Sequence, residues 1–145
     1  MLFIASHALS IPGSLVSGAI GDKVSFWKSI PVFYAGKGLF HMTICLSGSP
    51  TNFWTYVSTL GGFTCITCSN VLLNTLMAKS VPSEAKGALL GLMHWFSGVG
   101  TLTCAKIGGW LYDKNPQLPF FVFGATAIAY SVFILILRAT GTFRQ

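Results

Sequence analysis

Long apolar stretches, separated by short polar connections, account for almost all of the 145-residue chain. Each stretch is close to the ~20 residues that a helix needs to cross a bilayer, and far longer than the ~10 residues of a barrel strand. Because lipid leaves unpaired backbone groups unsatisfied, such stretches must be helices. The pattern predicts an all-α, polytopic membrane protein. Its single membrane domain, 1–145, has about five transmembrane helices, at 2–20, 30–46, 53–77, 87–112 and 119–137.

The basic residues lie mostly on alternate connections of this prediction. One side of the membrane receives Lys23, Lys28, Lys79, Lys86, Arg138 and Arg144. The other side receives Lys114, next to Asp113. The positive-inside rule then places the first and third connections and the tail in the cytoplasm, and the amino terminus outside. An outside start without a signal peptide favours a chain whose earlier helices are absent.

Composition supports a membrane protein and argues against several other classes. Only 8% of the residues are charged, against about 25% in a soluble domain. The net charge of +6 is explained by membrane orientation, and no basic run with interleaved aromatics predicts nucleic-acid binding. Cys65 and Cys68 have metal-site spacing, but no second pair or nearby histidine accompanies them. With three acidic residues and no catalytic motif, we expect neither an enzyme nor a cofactor or metal.

Three of the predicted helices carry polar residues at helical spacing, which places those residues on one face. The stripes are His7, Ser10, Ser14 and Ser17 on helix one, Thr59, Thr67, Asn70 and Asn74 on helix three, and His94, Ser97, Thr101 and Cys104 on helix four. Polar faces in lipid turn toward other helices or water, so these helices either line a polar cavity or hydrogen-bond one another. Helix five is almost wholly apolar and is expected to face lipid. The candidate solute-binding residues are His7, Ser14, Asn70, Asn74, His94, Ser97 and Thr101.

Two lysines lie inside predicted helices. Lys106 is close enough to a helix end for its stem to reach the interface. Lys37 lies deeper, one turn before His41, where a charge costs ~3 kcal/mol unless it is paired or hydrated. The sequence offers neither lysine an acidic partner, since the acidic residues all lie in predicted loops. Glycine pairs, Gly87 with Gly91 and Gly61 with Gly62, indicate close helix packing or bending.

Three segments together resemble the major facilitator superfamily. The run from Gly18 to Lys23 resembles that family's signature loop, with Gly18, Asp22 and Lys23 matching and Ser25 in place of the second glycine. The segment 81–91 resembles the cytoplasmic loop before the fifth or eleventh helix, although Lys86 stands where arginine is usual. The segment 108–120 resembles the turn into the last helix of a half.

The resemblance implies helices eight to twelve of a twelve-helix secondary transporter, with helices two to six as the alternative. It implies transport of a small solute by alternating access, with the lipid bilayer and a missing amino-terminal half as partners. Gly18, Asp22 and Lys23 would then belong to a gate. Because solute sites of such proteins lie between repeats, we expect these 145 residues alone not to transport. The competing interpretation is a non-transporting structural or assembly subunit derived from a transporter half.

Overall fold

The computed structural model describes residues 2–46 and 52–141, except the side chains of residues 2–7, 9, 10 and 22. Within these ranges the fold is all-α, as predicted, and contains no strand. Its elements are α1 (Leu2–Lys23), α2 (Phe26–Leu46), α3 (Phe53–Ser80), a 3₁₀ turn (Ser83–Ala85), α4 (Lys86–Lys114) and α5 (Leu118–Ala139).

Most of these helices extend beyond the ends that the apolar pattern predicts. The largest difference is at the first connection, predicted as a polar turn over residues 21–28 but reduced to residues 24 and 25. The amide of Val24 still donates to the carbonyl oxygen of Ile20 at 2.7 Å, so backbone bonding continues past the apolar residues. Lysine is a good helix former and lies in the last turn of α1, α3 and α4, so hydrophobicity alone ends these helices too early. The predicted turn at 47–50 lies outside the described residues.

Local signals explain several of the helix ends. Asn52 precedes α3, and its side-chain oxygen accepts from the amide of Trp54 at 3.4 Å, which satisfies one amide of the first turn. Pro119 lies in the first turn of α5, where the missing amide costs nothing. Gly141 follows α5 with a φ of 75°, the left-handed conformation that commonly terminates helices.

Helix α2 is the centre of the bundle. It packs against α3 on one side and α5 on the other, while α1 packs against α3. Ile30, Leu72 and Ile134 form the buried cluster where α2, α3 and α5 meet. Helix α4 makes its main contacts with α5 and the 3₁₀ turn, and nothing in its most apolar 18-residue stretch is buried. The described bundle is therefore a compact group of four helices with α4 at its edge.

Helix α5 does not only face lipid, as its composition suggested. One face of α5 is buried in the bundle and carries mostly small side chains, while the opposite face exposes large apolar side chains. The buried set is Pro119, Gly124, Ala127, Ser131 and Ile134, and the exposed set includes Phe121, Val132, Phe133, Leu135 and Ile136. Ser131 Oγ donates a buried hydrogen bond to the carbonyl oxygen of Pro31 at 2.7 Å. The small-residue face was missed because its residues are only weakly polar.

The glycines divide into those at close helix contacts and those without neighbours. A Cβ placed on Gly61 would lie 2.6 Å from the ring of Phe40, so this glycine permits close packing, as predicted. A Cβ on Gly87 or Gly91 would meet nothing within 4 Å among the described residues. Within the described bundle Gly87 and Gly91 make no close helix contact, because α4 lies at its edge, and their role in packing stays a prediction.

Three helical segments of the described chain are long and apolar enough to cross a membrane. They are Phe53–Ser80, Ser83–Lys114 and Leu118–Ala139, and a shorter apolar stretch, Ile11–Gly21, lies within α1. The protein is therefore of the integral membrane type. Five crossings, including α1 and α2, remain a prediction from the sequence.

Candidate functional site

A cavity of about 170 Å³ lies between α3 and α4 and is called here the α3–α4 cavity. It is lined by Asn70, Leu73, Asn74, Leu90, Met93, His94 and Ser97. Four of these are candidate residues from the polar stripes. The structure thus brings together polar residues from two helices that do not pack closely against each other. They are Asn70, Asn74, His94 and Ser97.

Helical periodicity and the short connection after α3 explain this convergence. Asn70 and Asn74 are one turn apart on α3, and His94 and Ser97 are one turn apart on α4, so each pair shares a face. The second half of α3 and the first half of α4 face each other across the cavity, although the two helices do not pack closely against each other. All four side chains are exposed, which means that the cavity is open. Two amides, an imidazole and a hydroxyl offer both donors and acceptors, and no carboxylate lines the cavity among the described residues.

Other candidate residues lie apart from the α3–α4 cavity. Thr101 is exposed on α4, and its hydroxyl donates to the carbonyl oxygen of Ser97 at 2.8 Å within the same helix. Ser14 donates to the carbonyl oxygen of Ile11 at 2.7 Å, and Ser17 donates to that of Ser14 at 2.9 Å. The side chain of His7 lies outside the described residues. Helix α1 therefore contributes no described residue to this cavity, contrary to the three-helix cavity that the stripes predicted.

Some polar groups do hydrogen-bond between helices, as the alternative interpretation expected. Thr43 Oγ1 and Ser58 Oγ are 2.8 Å apart across α2 and α3. The buried thiol of Cys68 donates to the carbonyl oxygen of Gly13 at 3.3 Å, which joins α3 to α1. Such bonds hold membrane helices together and need no solute.

Among the described side chains, no three histidine, cysteine or acidic groups converge where a metal could bind.

The residues of the predicted gate lie on the last turns of α1 and not in a loop. Gly18, Asp22 and Lys23 all fall within the helix, and Lys23 is exposed at its end. No described atom outside the helix lies within 4 Å of a Cβ built on Gly18. The side chain of Asp22 lies outside the described residues. The gating role of this motif remains a prediction.

A second, larger cavity of about 450 Å³ lies where α2 and α5 face α3 and α4, and is called here the Lys37 cavity. It is lined by Tyr34, Lys37, His41, Ile66, Cys104, Phe123, Thr126, Ala127 and Tyr130. The sequence pointed to Lys37 and His41 but missed the residues from α5. Their signal was periodicity, because Phe123, Ala127 and Tyr130 recur at helical spacing. That spacing was hidden in an apolar run.

The two cavities follow one another along the cleft between α3 and α4. Ile66 of the Lys37 cavity is one turn from Asn70 of the α3–α4 cavity, and Cys104 is two turns from Ser97. Thr101 lies between them on the polar stripe of α4. The polar stripe of α4 therefore runs from the α3–α4 cavity toward the cavity that contains Lys37.

Comparison with known proteins gives one match. The family model described as Major Facilitator Superfamily matches residues 1–143, almost the whole chain. No curated protein and no solved structure is similar enough to the chain to count as a match.

Proposed function

The chain belongs to the major facilitator superfamily, a family of transporters, and from this premise we propose that it takes part in moving a small solute across a membrane by alternating access. The observation that carries the proposal is the convergence of Asn70, Asn74, His94 and Ser97 on one open cavity. Polar side chains within membrane helices are costly, and they commonly mark the path of a solute. These four residues would hydrogen-bond the solute.

The exposure of α4 supports a second helical bundle as the other wall of the path. His94, Ser97 and Thr101 are exposed on a helix whose apolar stretch has no buried residue. In lipid such polar groups need water or another helix beside them. A transporter half that docks against α4 would supply both, since solute sites of these proteins lie near the midplane between repeats. We propose that the missing amino-terminal half is this partner.

The experiment is uptake into vesicles by the protein expressed from its complete gene. A mixture of isotope-labelled small solutes is offered with and without a proton gradient, and accumulated solutes are identified by mass spectrometry. We expect at least one solute to accumulate above protein-free vesicles. Asn74→Ala and His94→Ala should each reduce that uptake about tenfold or more, because each loses a hydrogen bond to the solute.

A matched control variant is available on the same helix. Thr103 is exposed on α4 and donates to the carbonyl oxygen of Val99 at 2.9 Å, but it lines neither cavity. Thr103→Val should leave uptake within twofold of the unaltered protein. If no solute accumulates, or if Thr103→Val and His94→Ala reduce uptake equally, the proposal is wrong.

The exposed surface of α4 also favours a second candidate function, a non-transporting subunit that binds another membrane protein. The two candidates differ in what the complete protein does once it is bound to its partner. Recovery of a stable complex that takes up no solute would support the subunit, whereas uptake would exclude it.

A further inference from the structure

The Lys37 cavity contains a cation without an opposite charge beside it. No Asp or Glu is among the described residues that line it. Two of the acidic residues of the chain, Glu84 and Asp113, belong to the 3₁₀ turn and the end of α4. The third, Asp22, is in the last turn of α1. A half-buried ammonium group in a membrane helix is costly without a counter-charge. A compensating partner is therefore needed to offset that cost.

The position of Lys37 along α2 keeps its ammonium group from reaching either end of the helix. It lies eleven residues after Phe26 and nine before Leu46, about 16 Å and about 14 Å from the two ends. A lysine stem is too short to cover either distance. Lys106 lies eight residues before the end of α4 at Lys114, about 12 Å, but its side chain is exposed, whereas that of Lys37 is half-buried. Lys37 must therefore be compensated within the cavity.

The remaining wall is mostly apolar and aromatic. Ile66, Phe123 and Ala127 provide aliphatic and aromatic surface. Tyr34 and Tyr130 meet edge to face with ring centroids 4.8 Å apart. Lys37 Nζ is 5.8 Å from the centre of the Tyr34 ring, near the outer limit of a cation–π interaction, so this ring offsets little of the charge.

We propose that the Lys37 cavity binds an organic monoanion with an apolar body, whose carboxylate or similar acidic group contacts Lys37 and whose hydrocarbon part lies against Phe123 and Ala127. The volume of about 450 Å³ falls within the ~300–1,000 Å³ of small-molecule sites. Thr126 and Tyr130 are exposed, so the cavity is open to an entering ligand. The proposal concerns binding and holds whether or not the chain transports.

The depth of Lys37 selects between two sources of such an anion. The headgroup of an anionic phospholipid stays at the membrane interface, about 14 Å or more from Lys37. A single-chain carboxylate has a small headgroup that protonation can neutralise, so it can bring its acidic group to the middle of α2. We therefore assign the site to a free amphiphilic anion and not to a bilayer phospholipid.

The test uses the exposed thiol of Cys104, which lines the cavity, as a local reporter. The full chain, with Cys45, Cys65 and Cys68 changed to serine, is placed in phosphatidylcholine nanodiscs. The rate of Cys104 labelling by a maleimide is measured against added dodecanoate, dodecanol and inorganic phosphate. Dodecanol matches the chain length without the charge, and phosphate supplies the charge without the chain.

We expect dodecanoate to slow Cys104 labelling at concentrations about tenfold lower than dodecanol, and phosphate to have no effect. Lys37→Gln should abolish the difference between dodecanoate and dodecanol, and Lys37→Arg should keep it. Lys106→Gln, which removes the other intramembrane charge outside the cavity, should change nothing. Discs containing phosphatidylglycerol should label as phosphatidylcholine discs do.

Equal protection by dodecanoate and dodecanol on the chain with Lys37 intact would overturn the proposal, and this comparison needs no Lys37 variant to fold. Unchanged selectivity in Lys37→Gln, or selectivity lost equally in Lys37→Gln and Lys106→Gln, would overturn it as well. Protection by phosphatidylglycerol with no further effect of dodecanoate would assign the site to a phospholipid and refute the free anion.

Discussion

Gly38 and Gly124 mark a backbone-to-backbone crossing of α2 and α5. A Cβ on Gly38 would lie 2.7 Å from the carbonyl oxygen of Gly124, and a Cβ on Gly124 would lie 2.8 Å from that of Gly38. The relationship is reciprocal, and on each side the clashing atoms include a backbone oxygen, which cannot rotate away. Close approach of this kind is how membrane helices associate without a hydrophobic driving force.

Alanine at either position should therefore separate α2 from α5. We expect Gly38→Ala and Gly124→Ala each to lower the free energy of unfolding by about 1–3 kcal/mol, the usual cost of overpacking. Reversible unfolding in mixed detergent micelles measures the change. Gly87→Ala is the matched control, because a Cβ there meets no described atom within 4 Å. Equal loss of stability in all three variants would contradict the crossing.

The contact between Gly61 and Phe40 gives a prediction of the opposite kind, in which one variant rescues another. A Cβ on Gly61 would meet the Phe40 ring at 2.6 Å, and a smaller side chain at position 40 would relieve that clash. Gly61→Ala should destabilise the chain by about 1 kcal/mol or more, and adding Phe40→Leu should recover part of the loss. A double-mutant cycle in the same unfolding assay measures the coupling. Additive effects would show that the two residues do not contact each other.

The bond from Ser131 to the carbonyl oxygen of Pro31 should make a small but measurable contribution. Ser131→Ala is expected to cost about 0.5–1.5 kcal/mol, typical of a hydrogen bond between membrane helices. The proper control is Thr126→Val, because Thr126 donates only to Val122 of its own helix, at 2.8 Å. If both variants lose the same stability, Ser131 contributes through packing and not through its bond to α2.

The sequence was sufficient for the all-α fold because each crossing reads as a long apolar run between polar connections. The sequence was also sufficient to predict which polar residues share a helix face. Helical spacing places Asn70 with Asn74, and His94 with Ser97. Their meeting required one more fact, that the chain reverses between α3 and α4. A short connection makes that reversal predictable.

Other features depend on pairing that no local pattern specifies. Gly38 and Gly124 belong to separate helices and form no spaced pair in the sequence, and only their contact gives them a role. The obvious glycine pair, Gly87 with Gly91, has the right spacing but faces no described helix. Spacing determines which residues share a face, whereas the bundle determines which face is covered. Ser14 shows the same limit, because its stripe is buried at Ser17 as an inward face should be, yet Ser14 does not line the α3–α4 cavity.

The sequence and the structure make different predictions for the role of Thr101 in solute binding. The stripe on α4 places Thr101 in the solute site with Ser97, whereas only Ser97 lines the α3–α4 cavity. If the cavity is the site, Ser97→Ala should weaken solute uptake by the complete protein about fivefold to tenfold, because it removes a hydrogen bond. Thr101→Val should change uptake less than twofold, since its hydroxyl is bonded to the carbonyl oxygen of Ser97. Initial uptake rates over a range of solute concentrations distinguish weaker binding from a slower transport step. Equal losses in the two variants would extend the site along the stripe toward the Lys37 cavity, and would show that the α3–α4 cavity alone does not define it.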